Sequence, residues 1–413
     1  MAPRVILHSD FNNFYASVEC RRRPEIRNRP VAVAGDPELR HGIVLAKNML
    51  AKVTGVATGE PIWKARQKCP ELILVPPDFT LYRTVSQEAR QIYQDYSHRV
   101  EPFGLDEAWL DVSGSEGMPG GRRIAYEIRE RIRRELGITV SVGVSDNKVF
   151  AKLGSDIREP DAVTVITKTN FRQTVWPLST RALLYVGRAT QRKLETCGIR
   201  TIGEIARAQP DFLQTILGKW GRVLWSYANG LDASPVRRIG EKDLPKSVGN
   251  SMTTSRDLVC DADVWAVFQV LCESVAARLR EQNLKGTVLQ IHVRDCNLCS
   301  FERQATLPYP TFLAGEMVRK AMEIFGANYP WGRSIRSLGV RMTGLTHATQ
   351  PYQLCMFNDE AQRIRAEQLE ETVDTLRKRF GHHCIGRATL LCENGRFNIN
   401  PKADHVIYPS CST

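Results

Sequence analysis

The chain has 413 residues, which is enough for three or four domains of ordinary size. Its content of 42% hydrophobic and 25% charged residues is typical of a globular protein, and no run of 18 apolar residues occurs, which excludes an obvious membrane-spanning helix. Lys and Arg number 57 against 45 Asp and Glu, and the resulting net charge of +12 favours a polyanionic partner.

The excess positive charge is concentrated in one segment. Residues 168–245 contain 13 basic and 6 acidic residues, whereas residues 1–167 carry a net charge of only +2 and residues 347–413 are neutral. We therefore expect contact with a polyanion mainly in this segment. The N-terminus lacks the pattern of a signal peptide, and only Cys296 and Cys299 of the eleven cysteines are close in sequence. Both features predict a cytoplasmic protein with reduced thiols.

The first 167 residues alternate strand-like and helix-like patterns. A helical stripe runs from Tyr82 to Tyr96, with apolar residues three and four positions apart. Strands are predicted at 4–9, 31–35, 43–46, 108–112, 138–144 and 163–166, helices at 122–136 and 147–156, and a glycine-rich loop at 114–121. Without residues 11–79, treated as an insertion, the remaining order is that of a ferredoxin-like unit.

The next two segments differ in pattern. Residues 168–236 are predicted to form short helices joined by glycine-bearing turns, and 237–245 are predicted to form a linker. A second β-α-β-β-α-β order follows, at 247–254, 262–282, 287–295, 298–306, 311–327 and 335–343. After a second polar segment at 347–353, an apolar stripe predicts an amphipathic helix, supported by the i,i+4 pairs Arg363/Glu367 and Asp374/Lys378; the stripe consists of Ile364, Leu369, Val373, Leu376 and Phe380.

Three carboxylates are candidates for a metal site. Asp10 ends the first strand, while Asp106 and Glu107 precede the strand at 108–112. The first and third strands of a ferredoxin-like sheet are neighbours, so these carboxylates can meet at one sheet edge. They would repel each other strongly there unless a divalent cation lay among them, and two such cations suit in-line displacement at phosphorus. The alternative is that all three are surface carboxylates at loop ends.

Three separated strings carry a family resemblance. Residues 9–19 (SDFNNFYASVE), 104–112 (GLDEAWLDV) and 141–156 (SVGVSDNKVFAKLGSD) resemble the Y-family DNA polymerases, most closely the bacterial DNA polymerase IV-like branch. The resemblance extends over about residues 4–346. It implies an α+β right-hand polymerase with a ferredoxin-like palm (1–10 and 80–167), small fingers (11–79), a helical thumb (168–236), a linker (237–245), a ferredoxin-like little finger (246–346) and a C-terminal extension (347–413).

The resemblance also implies roles for individual residues. Asp10, Asp106 and Glu107 would be the catalytic metal ligands for two Mg²⁺ ions, joined by the main-chain carbonyl of Phe11. Tyr15 stands at the position of the steric gate, the aromatic ring that excludes a ribose 2′-hydroxyl. Further candidates are Phe14, Ala46, Met49 and Lys52 for the nucleotide, Ile43 and Leu45 for the roof over the nascent base pair, and Lys148 and Lys152 for DNA. Core packing is the alternative for Phe14, Tyr15, Ile43 and Leu45, and a solvated helix face is the alternative for the two lysines.

The chain departs from the family pattern around the triphosphate. The family commonly has TANYxAR where this chain has AKNMLAK, so Ala46, Met49 and Lys52 replace Thr, Tyr and Arg. Lysine lacks the bidentate fork of arginine. Glu159 replaces the usual Lys before Pro160, and Gly104 replaces the usual Ser before the acidic pair. We therefore expect nucleotide binding to depend on the metal and on Lys52.

The basic segment and the tail carry two further motifs. Residues 185–199 resemble a helix-hairpin-helix, in which glycine lets main-chain N–H groups approach a DNA phosphate, and residues 217–224 are a second candidate. The DNA-binding candidates here are Gly187, Arg188, Arg192, Lys193, Gly218 and Lys219. Gln353–Phe357 resembles the peptide that binds the bacterial sliding clamp, with Gln353, Leu354, Met356 and Phe357 as its anchors.

These observations predict a template-directed DNA polymerase of the translesion class, acting on primer-template DNA and dNTPs with no proofreading and as a monomer. Two alternatives remain at this point. A nucleotidyl cyclase also uses a palm-like sheet with carboxylates, and the departures around the triphosphate would suit a non-catalytic, clamp-bound DNA scaffold.

Overall fold

The computed structural model describes residues 4–38, 40, 42–114, 117–241, 244–351, 353 and 360–390. They form two compact units. The first contains the described residues up to 35 and from 43 to 241, and the second contains those from 36 to 42 and from 244 onward. Among these described residues no helix combines the length and apolarity that a membrane span requires.

The first unit contains two sheets. Its strands are β1 (Ile6–Phe11), β2 (Val31–Ala34), β3 (Val44–Lys47), β4 (Ile73–Val75), β5 (Val100–Pro102), β6 (Glu107–Asp111), β7 (Val140–Ser145) and β8 (Val163–Val165). The five-stranded sheet has the order β5-β6-β1-β7-β8, and the three-stranded sheet has the order β3-β2-β4. β1 therefore lies at the centre of the larger sheet, antiparallel to β6 and β7.

Helices cover both faces of the larger sheet. The helices of this unit are α1 (Phe14–Arg22), α2 (Met49–Val53), α3 (Ile62–Lys68), α4 (Phe79–Gln94), α5 (Gly117–Arg131), α6 (Lys148–Ile157), α7 (Phe171–Thr174), α8 (Arg188–Thr196), α9 (Ile202–Arg207), α10 (Pro210–Leu217) and α11 (Lys219–Ala228). Leu7 packs with apolar residues of α4 and α5, while Ile6 packs with Ala151 of α6. This alternation follows from the two-residue period of a strand.

The glycine-rich segment before residue 122 differs from its prediction. A loop was expected over 114–121, but α5 already begins at Gly117, so the prediction is wrong from that residue on. Gly120 and Gly121 are buried in the helix. A Cβ on Gly121 would lie 2.4 Å from Cγ1 of Val5, so glycine here permits a close approach of helix to strand rather than a turn.

The string at residues 141–156 forms β7, a turn and α6 in close contact. Asn147 caps α6, because its Oδ1 accepts a hydrogen bond of 2.8 Å from the N–H of Phe150. A Cβ on Gly143 would lie 1.9 Å from the carbonyl oxygen of Ala151. The backbone of α6 therefore rests directly on the sheet, which brings Lys152 within reach of β1.

The second unit has the predicted β-α-β-β-α-β order. Its elements are β9 (Ser247–Leu258), α12 (Asp261–Glu281), β10 (Leu284–Asp295), β11 (Ser300–Thr311), α13 (Ala314–Asn328), β12 (Ile335–His347) and α14 (Glu360–Phe380). The strands pair antiparallel in the order β11-β10-β12-β9. α12 and α13 bury their apolar residues against one face of this sheet, around Phe268 and Phe325.

The helix that the apolar stripe predicted is confirmed as α14. Ile364, Leu369 and Phe380 of the apolar stripe are exposed. The helix docks on the unit through charged side chains at alternating spacings of four and three residues. These pairs are Arg363–Glu316, Glu367–Lys285, Glu370–Arg280, Asp374–Arg280 and Arg377–Glu273. The sequence predicted i,i+4 ion pairs within the helix for Arg363, Glu367 and Asp374. In the structure these side chains instead form ion pairs with residues in other elements of the second unit.

Arg280 is the centre of this docking. Its guanidinium lies 2.7 Å from Glu370 and 2.6 Å from Asp374, and it donates to the carbonyl oxygen of Phe312. Only 8% of its side chain is exposed. An ion pair so enclosed is screened less by salt than a surface pair.

We predict that Arg280→Ala releases α14 from the second unit. Removing one partner of a buried pair costs about 3–5 kcal/mol, because the remaining charges lose their compensation. Hydrogen exchange should show faster exchange over residues 360–380 while β10 and β12 stay protected. Lys320→Ala, which removes an exposed pair with Glu323, is the matched control. Unchanged protection of α14 in the Arg280 variant would contradict the role given to this residue.

Candidate active site

The carboxylate site is set by the pairing of β1 with β6. Asp10 stands opposite Glu107 in the antiparallel register, and the N–H of Phe11 donates to the carbonyl oxygen of Asp106 at 3.0 Å. The two strand segments, 96 residues apart in sequence, are thus held together by main-chain hydrogen bonds. The predicted meeting of these residues at one edge of the sheet is confirmed.

Helix α4 holds the loop that precedes β6. Ser86 donates to the carbonyl oxygen of Leu105, and Arg90 donates to that of Gly104. Gly104 has a φ of +91°, a conformation that a residue with a Cβ adopts only with strain. A Cβ there would also lie 3.1 Å from Oδ1 of Asp106. Glycine in place of the usual serine therefore fits the turn that presents Asp106.

His8 is a member of the site that the sequence analysis missed. Its Nε2 lies 3.2 Å from Oε2 of Glu107, and its Nδ1 lies 2.9 Å from Oγ of Ser155. The ring is fully buried, and this burial lowers the pKa of His8. His8 and Asp10 are two residues apart on β1, so they point to the same face. That spacing was the sequence signal that could have revealed it.

Lys152 lies between the carboxylates. Its Nζ is 2.8 Å from Oδ2 of Asp10, 2.8 Å from Oε2 of Glu107 and 3.1 Å from Oδ1 of Asp156. Burial alone would lower the pKa of Lys152, but the charges of these acids outweigh it and raise that pKa. One ammonium group therefore balances part of the negative charge of the site.

The pKa values of the carboxyl groups also differ from their ordinary values. Burial, with a further contribution from Glu107, raises the pKa of Asp10 to about 8 and that of Asp106 to about 6. Burial also acts on Glu107, but its contact with His8 and the charge of Lys152 outweigh burial and lower its pKa. The site therefore holds more carboxylate than its own cations compensate.

A divalent cation fits this arrangement. One ligand atom from each of His8, Asp10 and Glu107 can be chosen so that all lie within 4.8 Å of one another. Carboxylate oxygens suit hard cations, and a bound cation would offset the burial and the repulsion from Glu107 that raise the pKa values of Asp10 and Asp106. Asp106 adds a further carboxylate next to this group.

The two aromatic candidates on α1 differ in exposure. Phe14 is buried and stacks on Phe11 with ring centroids 4.9 Å apart. Tyr15 is half-buried and stacks on Tyr82 at 4.4 Å. The hydroxyl of Tyr82 donates to the buried carboxylate of Glu19 at 2.8 Å. Of the two candidates, Tyr15 is therefore the one that reaches the surface, and its ring is held by a fixed partner.

The candidates between residues 43 and 52 lie on β3 and α2, except Ile43, which directly precedes β3. Ile43 and Met49 are exposed, and Leu45 and Ala46 are half-buried. Lys52, also exposed, lies 3.5 Å from Glu159. Lys47, which the sequence analysis did not select, is half-buried beside these residues, and its Nζ donates to Oγ1 of Thr58.

The two lysines proposed to bind DNA, Lys148 and Lys152, contact protein side chains in this structure. Lys148 lies 2.7 Å from Glu101, and its Nζ lies 4.5 Å from the ring centroid of Trp109. Like Lys152, it is largely buried. Both lysines are thus engaged by protein side chains in this structure.

The DNA-binding candidates after residue 186 lie along α8 and at the N-terminus of α11. Gly187 is the N-cap of α8, and Gly218, with a φ of +64°, is the N-cap of α11. Arg188, Arg192 and Lys193 are exposed on α8, and Lys219 is exposed at the start of α11. Free N–H groups and positive side chains therefore coincide at two helix ends, as a phosphate-binding surface requires.

The clamp motif is described only in part. Gln353 is exposed, while Leu354, Met356 and Phe357 lie outside the described residues.

Comparisons with known proteins agree with this geometry. The model of the impB/mucB/samB family matches residues 9–156, and the model of the C-terminal domain of that family matches residues 245–356. The DNA polymerase IV of Acetivibrio thermocellus is 52% identical over 95% of this chain and 98% of its own length. The chain belongs to the Y-family DNA polymerases, in the DNA polymerase IV group.

Other Y-family proteins support the same assignment. DNA polymerase IV 1 of Bacillus subtilis is 35% identical over 94% of this chain and 93% of its own length. Among solved structures, the Y-family DNA polymerase chimera Dbh-Dpo4(243-245)-Dbh is similar with a TM-score of 0.72, at 24% identity and over 83% of this chain and 99% of its own. The Y-family fold, an α+β right-hand polymerase, is therefore shared.

We predict that Mg²⁺ or Mn²⁺ stabilises this Y-family site most at high pH. The raised pKa of Asp10 means that the unfolded chain releases this proton near pH 4 and the folded chain only near pH 8. Stability without metal should therefore fall as the pH rises between these values. Metal binds the deprotonated carboxylate, so its stabilisation should be larger at pH 8 than at pH 6.

Thermal unfolding with and without Mg²⁺ measures this effect. Metal at ten times its Kd contributes about 1.4 kcal/mol, which is a few degrees in Tm. Asp10→Asn should lose most of the metal-induced shift and be more stable than the parent at pH 8 without metal. Glu127→Gln, an exposed site on α5, is the control. Equal metal-induced shifts at both pH values would contradict the proposed ligand set.

Proposed function

We propose that this chain is a template-directed DNA polymerase of the translesion class that adds dNTPs to a primer 3′-hydroxyl. The observation that carries the proposal is the convergence of Asp10, Asp106 and Glu107 at one sheet edge in a chain of the DNA polymerase IV group. The primer oxygen attacks the α-phosphorus, and pyrophosphate leaves.

The residues of the site act mainly by positioning. Asp10, Asp106, Glu107 and the Phe11 carbonyl would hold two Mg²⁺ ions, which activate the attacking hydroxyl and stabilise the leaving oxygen. His8 and Ser155 hold Glu107 at a fixed place, and α4 holds the turn before Asp106. Lys152 keeps its ammonium group beside these carboxylates and limits their mutual repulsion.

Tyr15 is the residue proposed to select the sugar. Its ring is stacked on Tyr82, whose hydroxyl is held by Glu19, so it cannot move aside without breaking these contacts. A fixed ring below the sugar leaves no room for a 2′-hydroxyl and so favours deoxynucleotides.

Residues 168–236 are proposed as the thumb that grips the DNA backbone. Support comes from the exposed Arg188, Arg192 and Lys193 on α8 and from Gly187 and Gly218 at two helix N-caps. Contacts of this kind recognise phosphate and are independent of base sequence. The proposed palm, fingers, linker, little finger and tail keep the boundaries given from the sequence.

The bacterial sliding clamp is the proposed protein partner of Gln353–Phe357. The exposure of Gln353 after β12 supports this assignment. Complex formation between the full chain and a clamp, followed by size-exclusion chromatography, should be lost when Leu354 and Phe357 are both changed to Ala. Retention of the complex would contradict the motif. A cytoplasmic location is proposed as well, consistent with the eight free cysteines among the described residues.

Asp106→Ala should abolish primer extension and leave DNA affinity unchanged. The reason is that Asp106 lies in the carboxylate site, away from the exposed cations of α8. Extension of a labelled primer on a normal and on an abasic template, with Mg²⁺ and with Mn²⁺, measures the reaction. Loss of at least 1,000-fold in rate is expected, about 4 kcal/mol in transition-state stabilisation. No extension by the parent chain with either metal would refute the polymerase and leave the scaffold alternative.

A thumb variant should show the opposite behaviour. Arg188→Ala, Arg192→Ala and Lys193→Ala together should weaken DNA binding and reduce the slope of log affinity against log salt by about one for each lost phosphate contact. Extension at saturating DNA should persist. A salt slope equal to that of the parent chain would show that α8 does not contact the backbone.

A further inference from the structure

The turn after α6 is fixed beside the carboxylate site. The N–H of Asp161 donates to Oδ1 of Asn12 at 2.8 Å, and Asn12 follows Asp10 by two residues at the end of β1. The carboxylate of Asp161 also pairs with Arg129 and Arg133. Glu159, two residues before Asp161, is therefore held close to the end of the sheet where the catalytic carboxylates lie.

Glu159 faces two lysines from the neighbouring segment of β3 and α2. Its Oε2 lies 3.5 Å from Nζ of Lys52, with both side chains partly exposed. Lys47 lies near the same pair: burial first, and then the charge of Lys52, lower the pKa of Lys47, while Glu159 and Glu60 act to raise it. Two lysines and the carboxylate of Glu159 thus share a small region beside the site.

The two lysines of this region would attract a triphosphate, whereas the Glu159 carboxylate would repel it. Phosphate oxygens accept hydrogen bonds from ammonium groups, whereas a carboxylate at the same place repels them. Arg158, next to Glu159, is exposed and makes no ion pair among the residues that the structure describes. In the ion pair of Lys52 with Glu159, the carboxylate therefore takes the place that a phosphate group would take beside the lysine.

We propose that Glu159 is an internal competitor of the incoming triphosphate, and that Lys47 and Lys52 together form the cationic subsite for which it competes. This inference rests on the proposed polymerase function and goes further by naming how the nucleotide is held. When a nucleotide binds, Lys52 exchanges the Glu159 carboxylate for phosphate oxygens. Lys47, freed from its contact with Thr58, supplies the second positive charge.

The size of the competition follows from the exposure of the pair. An exposed ion pair corresponds to roughly a 1.4- to five-fold change in an equilibrium constant. Removing the Glu159 charge should therefore lower KM for dNTP about two- to five-fold. Because the pair is broken before the chemical step, kcat should stay within about two-fold of the parent value.

Single-nucleotide incorporation with Glu159→Gln tests the proposal. The Gln variant keeps the shape of the side chain and loses its charge. Lys52→Ala should raise KM, and Lys47→Ala should raise it as well. In the Lys52→Ala background, Glu159→Gln should lower KM by a smaller factor than in the parent chain, because the lysine for which Glu159 competes is gone. Glu127→Gln is the control for a general change in net charge and should leave KM unchanged.

The outcomes separate this inference from the proposed function. A parent chain that extends primers, together with an unchanged or higher KM in Glu159→Gln, overturns the competitor role alone. An equal benefit of Glu159→Gln with and without Lys52 also overturns it, since the carboxylate would then repel the nucleotide without competing for that lysine. Absence of extension by the parent chain instead overturns the polymerase proposal. Melting temperatures of all variants within a few degrees of the parent exclude misfolding as the cause.

Discussion

The burial of several carboxylates side by side is the constraint on which the active site of the first unit depends. Asp10 and Glu107 face each other across β1 and β6, where water cannot fully solvate them. Lys152 lies near both, and it can do so only because α6 packs on β7 at Gly143. The helix, the glycine and the lysine thus form one arrangement that keeps negative charge concentrated at a fixed place.

Much of this arrangement was predictable from the sequence. Their positions at strand ends made the three carboxylates candidates, and the family resemblance assigned them as metal ligands. Apolar periodicity predicted the element order of the second unit, but β4 and β5 of the first unit were missed. The two-residue spacing of His8 and Asp10 placed both on one face of β1, but His8 was missed because its contact with Glu107 depends on the pairing of β1 with β6. Lys148 was assigned to DNA because an exposed helix face and a face turned to Glu101 look alike in sequence.

The tail helix shows a different limit of sequence patterns. Apolar residues at helical spacing predicted the helix α14, and the structure shows that it docks through Arg363, Glu370 and their neighbours. A periodic apolar stripe and a periodic charged stripe coexist on this helix, and periodicity alone does not say which one meets the protein. The surface beneath α14 determines which stripe packs, because the largely buried charges of Arg280 and Lys285 require acidic partners that an apolar face could not supply.

The register of β1 against β6 gives the active site a failure mode of its own. A strand that slips by one residue turns each side chain to the opposite face. Ser9 would then stand where Asp10 stands, and His8 would turn away from Glu107 and Ser155. The carboxylate site would therefore lose one acid and also the histidine that holds another. The hydrogen bond from the Phe11 N–H to the Asp106 carbonyl, at the end of the pairing, therefore ties the register of the strand to the position of the carboxylates.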